Sequence, residues 1–160
     1  MQWGEFAEAA PDLAAVGAER FERYGVLLIG TIRRDGTPRI SPVEPYIVDG
    51  RLLLGMMWQS HKARDLQRDP RCLVHSVVAN RDGKEGEFKV RGRAEEIHNE
   101  HWRTRYGDAT EATIDWRPSG DWHLFAIEIE SVAWVRYGDG AGRTTRWTPD
   151  GGVVETERAG

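Results

Sequence analysis

The first 24 residues carry their apolar positions at helical spacing. Pro11 suits a first helical turn, so the pattern predicts a short helical segment before it and a longer one after it. In the second, Leu13, Val16, Arg20, Phe21 and Tyr24 recur at helical spacing, and Gly25 stops the helix. The pattern then changes to that of strands. "VLLIGTIR" (26–33) leads to Asp35-Gly36, a hairpin-turn signal, and "RISPVEPYIV" (39–48) runs extended. Pro42 and Pro45 have no N–H for a sheet ladder, so this strand must lie at an edge or break at a bulge. A second Asp-Gly turn at 49–50 returns the chain as "RLLLGMM" (51–57), and the three segments predict an antiparallel meander.

Ser60 stands where an N-cap would start a helix running to about Asp69, with Ala63, Leu66 and Gln67 on a weakly apolar face and Pro70 as its stop. "RCLVHSVVA" (71–79) predicts a strand, "NRDGKEG" a polar turn, and "EFKVRGRAEEI" (87–97) a strand of alternating polarity. A short helix is expected over 98–106, followed by a loop-like stretch over 107–121 that has room for a helical turn. "WHLFAIEIESVAWVRY" (122–137) predicts one long strand, or two with a bend near Ser131. "GDGAG" (138–142) reads as a turn, and a last hairpin closes around Asp150-Gly151-Gly152. Six or seven antiparallel strands with two or three helices point to a small β-barrel.

Composition narrows the function. The 160 residues fit one domain, and 39% hydrophobic with 30% charged residues is an ordinary globular mixture. A net charge of −4 argues against a nucleic-acid partner, which needs a broad basic face. Cys72 is the single cysteine, in keeping with a reducing compartment. The start "MQWGEFAEAAPDL" lacks the pattern of a signal peptide, and no stretch approaches the ~20 apolar residues of a membrane span, so a soluble cytoplasmic protein without membrane partners is expected. Seven tryptophans suggest flat aromatic surfaces in a core, a dimer interface or a pocket.

Against the negative total, "WQSHKARDLQRDPRC" (58–72) is cationic. Ser60 and Lys62 fall in the first turn of the expected helix, where free backbone N–H groups and the helix dipole favour an anion; Arg39 can add a planar fork of donors. The bland reading is a cap at Ser60 and a solvated face of Lys62, Arg64 and Arg68. In "RISPVEP" the prolines free backbone groups that can meet the polar edge of a flat ring, or they simply protect an edge strand. His98 and His101 lack a third ligand at convincing spacing, so no metal site is expected. His75 reads as a core or interface histidine, and Cys72 beside it points to the opposite face of its strand. Trp147 has two roles open to it: stacking on a ring, or packing the end of the barrel.

The series "GTIRRDGTPRISPV", "DGRLLLGMM", "SHKARDLQRDPRCLV" and "FKVRGRAEEI" resembles the flavin-binding split-barrel family related to pyridoxamine 5′-phosphate oxidase, in the family's order, with the likeness covering about residues 20–137. The resemblance implies a mainly β fold: a six-stranded antiparallel Greek-key split barrel with two to three short helices. It implies a single domain over 1–160, with an N-terminal helical segment (1–24), the barrel (25–137) and a C-terminal hairpin (138–160). It further implies a homodimer with cofactor sites at the interface, and either FMN or the deazaflavin coenzyme F-420 as cofactor. Arg39 and the backbone of Ile40, Ser41, Pro42 and Val43 would contact the cofactor. Gly55 and Met56 would line its ring or ribityl part, and Ser60 and Lys62 would hold its phosphate. In the family the C-terminal region holding Trp134 and Trp147 often completes a site on the neighbouring subunit. The implied activity is hydride transfer to or from a small organic substrate. The tail "RWTPDGGVVETERAG" lacks the Arg-x-His-type substrate motif of the founding enzymes, so pyridoxamine 5′-phosphate oxidation itself is not predicted. Two other classes remain: a dimeric cofactor-binding or sensing protein, and a haem-binding barrel using His75, His98 or His123.

Overall fold

Why the chain breaks at Glu44 explains the architecture. Strands β1 (Leu27–Ile32) and β2 (Pro38–Val43) form a hairpin, and β3 (Pro45–Val48) and β4 (Arg51–Met57) form another. Glu44, between Pro42 and Pro45, separates β2 from β3, so one stretch of chain pairs first with β1 and then with β4. The computed structural model, which describes residues 1–138 and 141–159, continues with β5 (Arg71–Ser76), β6 (Glu87–Glu96) and β7 (Trp122–Gly138). The antiparallel order is β2-β1-β5-β6-β7-β4-β3. Its two ends are the two halves of residues 38–48, so the path returns on itself as a six-strand barrel split at Glu44. The expected meander is corrected accordingly: 26–33 and 51–57 are bridged by a broken strand, because two prolines cannot sustain one continuous ladder.

Among the described residues, nine strands and four helices replace the expected six or seven and two to three. Beyond the six-stranded barrel, one further strand comes from the break at Glu44 and two from the expected terminal hairpin, β8 (Ala141–Thr148) and β9 (Gly152–Ala159), which extends the distal half of β7. Asp139 and Gly140, in the expected "GDGAG" turn, lie outside the described residues. β7 is one long strand, and its pairing with β6 shifts register between Arg91 and Gly92, leaving Glu130 as the extra residue beside the expected bend at Ser131.

Four helices cover the barrel: α1 (Trp3–Ala9), α2 (Pro11–Tyr24), α3 (His61–Arg68) and α4 (Glu100–Ile114). α4 runs eight residues past the expected short helix and takes in half of the expected loop. Its start moves too, since the Asn99 side chain accepts from the backbone N–H groups of His101 and Trp102 and leaves His98 before the helix. Gly107, which read as a loop signal, is buried against Arg117. No helix among the described residues is long and apolar enough to cross a membrane.

There are two cores. α1 and α2 plug the barrel with Trp3, Phe6 and Phe21 against Phe88 and Trp147. α4 covers the outer side of β3, β4 and β7 through Tyr106, which meets Leu53, Leu124 and Ala126. Arg20, expected among the apolar face of α2, is fully buried; its Nη2 donates to the Val77 carbonyl at 2.7 Å, and Glu85 lies 3.5 Å away. On the outer face of β2-β1-β5, Ile40 and Leu73 lie in register across Gly30, and both are exposed.

Gly17 sits mid-helix in α2, where a Cβ would strike the Phe88 ring and approach Trp3 at 2.9 Å. Helix propensity alone favours Gly17→Ala by about 1 kcal/mol. The structure reverses that sign: overpacking against Phe88 is expected to lower stability by about 1–3 kcal/mol, measured by urea unfolding. An equal or more stable variant would refute this packing.

Candidate functional site

The cationic stretch folds as α3, and its polar stripe docks on the sheet. Lys62, Asp65 and Arg68 follow one another at three-residue spacing, which puts them on one face. Lys62 Nζ donates to the Pro42 carbonyl at 2.9 Å. Asp65 is buried and accepts from Arg39 Nε at 2.7 Å, Thr31 Oγ1 at 3.0 Å and Arg68 Nη2 at 3.2 Å. Arg68 also donates to the Ile32 carbonyl. Burial by itself raises the Asp65 pKa, but the hydrogen bonds from Arg39, Arg68 and Thr31 outweigh it and hold the carboxyl below its ordinary range. Burial pulls the Lys62 ammonium below its usual value, and the nearby Glu44 carboxylate pushes part of the way back.

This corner is therefore half structural and half available. Arg39 uses only Nε on Asp65 among the described residues, so its Nη groups are free for another acceptor. Ser60 occupies the N-cap position without capping: its side chain takes no backbone N–H, and its Oγ is buried with no partner. The expected capping role is thus corrected, and an orphaned hydroxyl remains at the helix start. Beside it lies a cleft of about 710 Å³ lined by five arginines (33, 34, 39, 64 and 68) with His61, against Asp35 and Asp65. Arg33, Arg34 and Arg64 form no ion pair among the described residues, so the cleft carries uncompensated positive charge in a chain of net −4.

The loop that delivers Ser60 is held from behind. Gln59 adopts a left-handed backbone (φ 55°), and its N–H donates to His123 Nε2 at 3.1 Å. With Nε2 accepting, the proton of a neutral ring sits on Nδ1, which lies 2.6 Å from Glu96 Oε1. Gln67 of α3 donates to the other Glu96 oxygen at 2.9 Å. The Trp58 indole stacks on the His123 ring at 4.6 Å and 11°. Sequence reading missed Asp65, Glu96 and this use of His123. Asp65 left one signal: it is the single acid in "SHKARDLQR", three residues from a cation on each side.

The remaining expected residues divide by where the chain puts them. Ile40 is 72% exposed on the outer face, and Pro42 points the same way, offering its carbonyl to Lys62. Ser41 is half-buried on the opposite face of β2. Val43, Met56 and Trp147 are buried in the barrel core. For Trp147 this settles the choice in favour of packing: it lies 4.9 Å from the Phe6 ring and presents no free face for stacking. Gly55 is covered by Tyr106, whose phenol occupies the space a Cβ would need. Its lack of a side chain is therefore accounted for by α4. His75 bonds the Ser76 carbonyl through Nδ1 at 2.6 Å. His98 and His101 are exposed. Burial pushes the Cys72 thiol up to about 12, which makes it inert as a nucleophile at neutral pH.

Asp65→Asn keeps the shape of the hub and removes its charge. The expected loss is about 2 kcal/mol near neutral pH. A carboxyl depressed by folding stabilises above its unfolded pKa of about 4, and that contribution fades as pH falls through the folded value. The gap between parent and variant in thermal unfolding is accordingly expected to close in acid. A gap unchanged at low pH would assign it to packing instead.

Residues 17–136 match the family model described as pyridoxamine 5′-phosphate oxidase. No curated protein sequence matches the chain significantly. Among solved structures, the chain is similar to a protein related to general stress protein 26, of the pyridoxinephosphate oxidase family, from Clostridium acetobutylicum: 17% identity, TM-score 0.66, covering 88% of this chain and 96% of that one. It is similar to a heme binding protein from Mycobacterium smegmatis, at 16% identity and TM-score 0.60 over 91% and 88% of the two chains. It is also similar to PhzG from Burkholderia lata, solved with tetrahydrophenazine-1-carboxylic acid, at 13% identity and TM-score 0.63 over 99% and 93%. At such identities these likenesses speak for the fold, whereas the family model spans most of the barrel. On that match the chain belongs to the pyridoxamine 5′-phosphate oxidase family.

Proposed function

We propose that the chain is a flavin (FMN)-binding oxidoreductase that moves hydride to or from a small organic substrate and works as a homodimer in the cytoplasm. The observation that carries this reading is the anion seat at the start of α3. There an orphaned Ser60 hydroxyl, a half-desolvated Lys62 ammonium and the spare donors of Arg39 stand beside a cleft of uncompensated arginines. Each charge-assisted bond to a phosphate contributes roughly 1.5–3 kcal/mol, and the helix N-terminus adds to it. When bound, the ring supplies the redox chemistry. The protein's part is to grip the anionic tail, orient the ring toward β4 and keep water off it. The deazaflavin coenzyme F-420 is the alternative occupant, since its tail is also anionic. The exposed apolar pair Ile40 and Leu73, on one smooth face across Gly30, supports a dimer that buries that face.

Haem fits these residues less well, although two structural relatives are a heme binding and a heme storage protein. His123 has both nitrogens engaged, His75 has Nδ1 on a carbonyl, and His98 stands exposed before α4.

The absorption spectrum of the purified protein, with either coenzyme added, tests the reading. A two-banded yellow spectrum is expected for FMN, a single violet-blue band for the deazaflavin, and a Soret band would overturn both. Turnover of a reducible substrate separates an enzyme from a sensor. Lys62→Ala and Arg39→Ala are each expected to weaken coenzyme binding at least about tenfold, roughly one charge-assisted bond. Ser60→Ala is expected to weaken it less and to leave stability unchanged, since that hydroxyl caps nothing. Unchanged affinity in both cation variants would sink the assignment.

A further inference from the structure

A second pocket, of about 420 Å³, opens where the end of β4 and the start of β7 meet the loop after α4. Its walls are Trp58, Trp116 and Trp122 with Tyr106, and two carboxylates, Glu44 and Asp121, stand in its lining; Gly55 and Met56 of β4, expected beside the cofactor's ring or ribityl part, also line it, so it adjoins the place proposed for that ring. Trp58 and Trp116 are about half exposed, an unusual state for indoles unless something covers them. Two of the rings are held in place from behind. Trp58 stacks on His123, and the Arg103 guanidinium lies 4.0 Å over one face of Trp122. Among the described residues neither Glu44 nor Asp121 forms an ion pair. Lys62 feels the charge of Glu44, but its Nζ is bonded to the Pro42 carbonyl.

Aromatic faces carry negative potential, and unpaired carboxylates add to it. A flat, positively charged group gains from both, whereas a carboxylate or phosphate is repelled. The sign is the reverse of that in the arginine cleft, and Glu44 and Lys62 lie at the boundary between the two. We infer that this pocket receives a flat organic cation, such as an N-alkylated heteroaromatic ring or an aryl-ammonium. Its role as the binding site stands on this geometry alone; naming the occupant as the substrate rests on the redox reading above.

The test is calorimetric titration of the purified protein with 1-methylquinolinium, with neutral quinoline and with quinoline-3-carboxylate. The cation is expected to bind about tenfold more tightly than quinoline, the scale of one desolvated cation–π contact, and the carboxylate is expected not to bind. Glu44→Gln should remove most of that preference, and Trp116→Ala, at an exposed position, should weaken both ligands that bind. Equal affinity for the cation and quinoline overturns the charge argument. No binding of the cation, or binding unaffected by Trp116→Ala, overturns the site. Lys62→Ala should retain 1-methylquinolinium binding while losing coenzyme affinity. A parent protein that binds the cation but neither coenzyme would refute the redox reading and leave the pocket standing.

Discussion

A single buried carboxylate, Asp65, fixes how α3 lies on the barrel. It gathers Arg39 from β2, Thr31 from β1 and Arg68 from its own helix. An unpaired carboxylate in that position would cost several kcal/mol, so the helix, the two strands and both arginines are committed to one arrangement. The consequence reaches the start of α3. Arg39 is held with its remaining donors free, and Lys62, one turn earlier, is brought onto the Pro42 carbonyl beside an unsatisfied Ser60 hydroxyl.

A second hydrogen-bonded chain supports the same corner from the opposite side. Gln67, Glu96, His123 and the Gln59 N–H form a continuous series, beginning on α3 and ending in the loop that precedes it. His123 thereby sets both the left-handed turn at Gln59 and the plane of the Trp58 indole. One buried imidazole thus connects α3 to the aromatic pocket. Around it the molecule separates its charges: guanidiniums line one cleft, and carboxylates with indoles line the neighbouring pocket.

Much of this was legible in the chain. Asp-Gly turns, the prolines around Glu44 and the alternation in 87–96 each act locally, and they sufficed for an antiparallel barrel with its helices in the right places. The cationic helix start also declared itself, because backbone N–H groups at a helix N-terminus attract anions whatever the rest of the fold does. The sequence fell short where distant residues decide. Gly107 reads as a loop residue until Arg117 is seen packed on it. Trp147 leaves stacking and packing both open in the sequence, and Phe6, from the other end of the chain, packs against it.

The sequence by itself determined the order of elements, the breaks in the sheet and the family, since these follow from turn chemistry, proline geometry and periodicity within a few residues. Only the tertiary structure decided which polar groups are already satisfied and which still have donors to offer. Arg39 and Arg68 meet one carboxylate, Lys62 meets a carbonyl, and Ser60 meets nothing, although all four look alike in a string of polar letters. The reason is that hydrogen-bond satisfaction is settled largely by partners 20 to 36 positions away, whose approach depends on how the barrel closes.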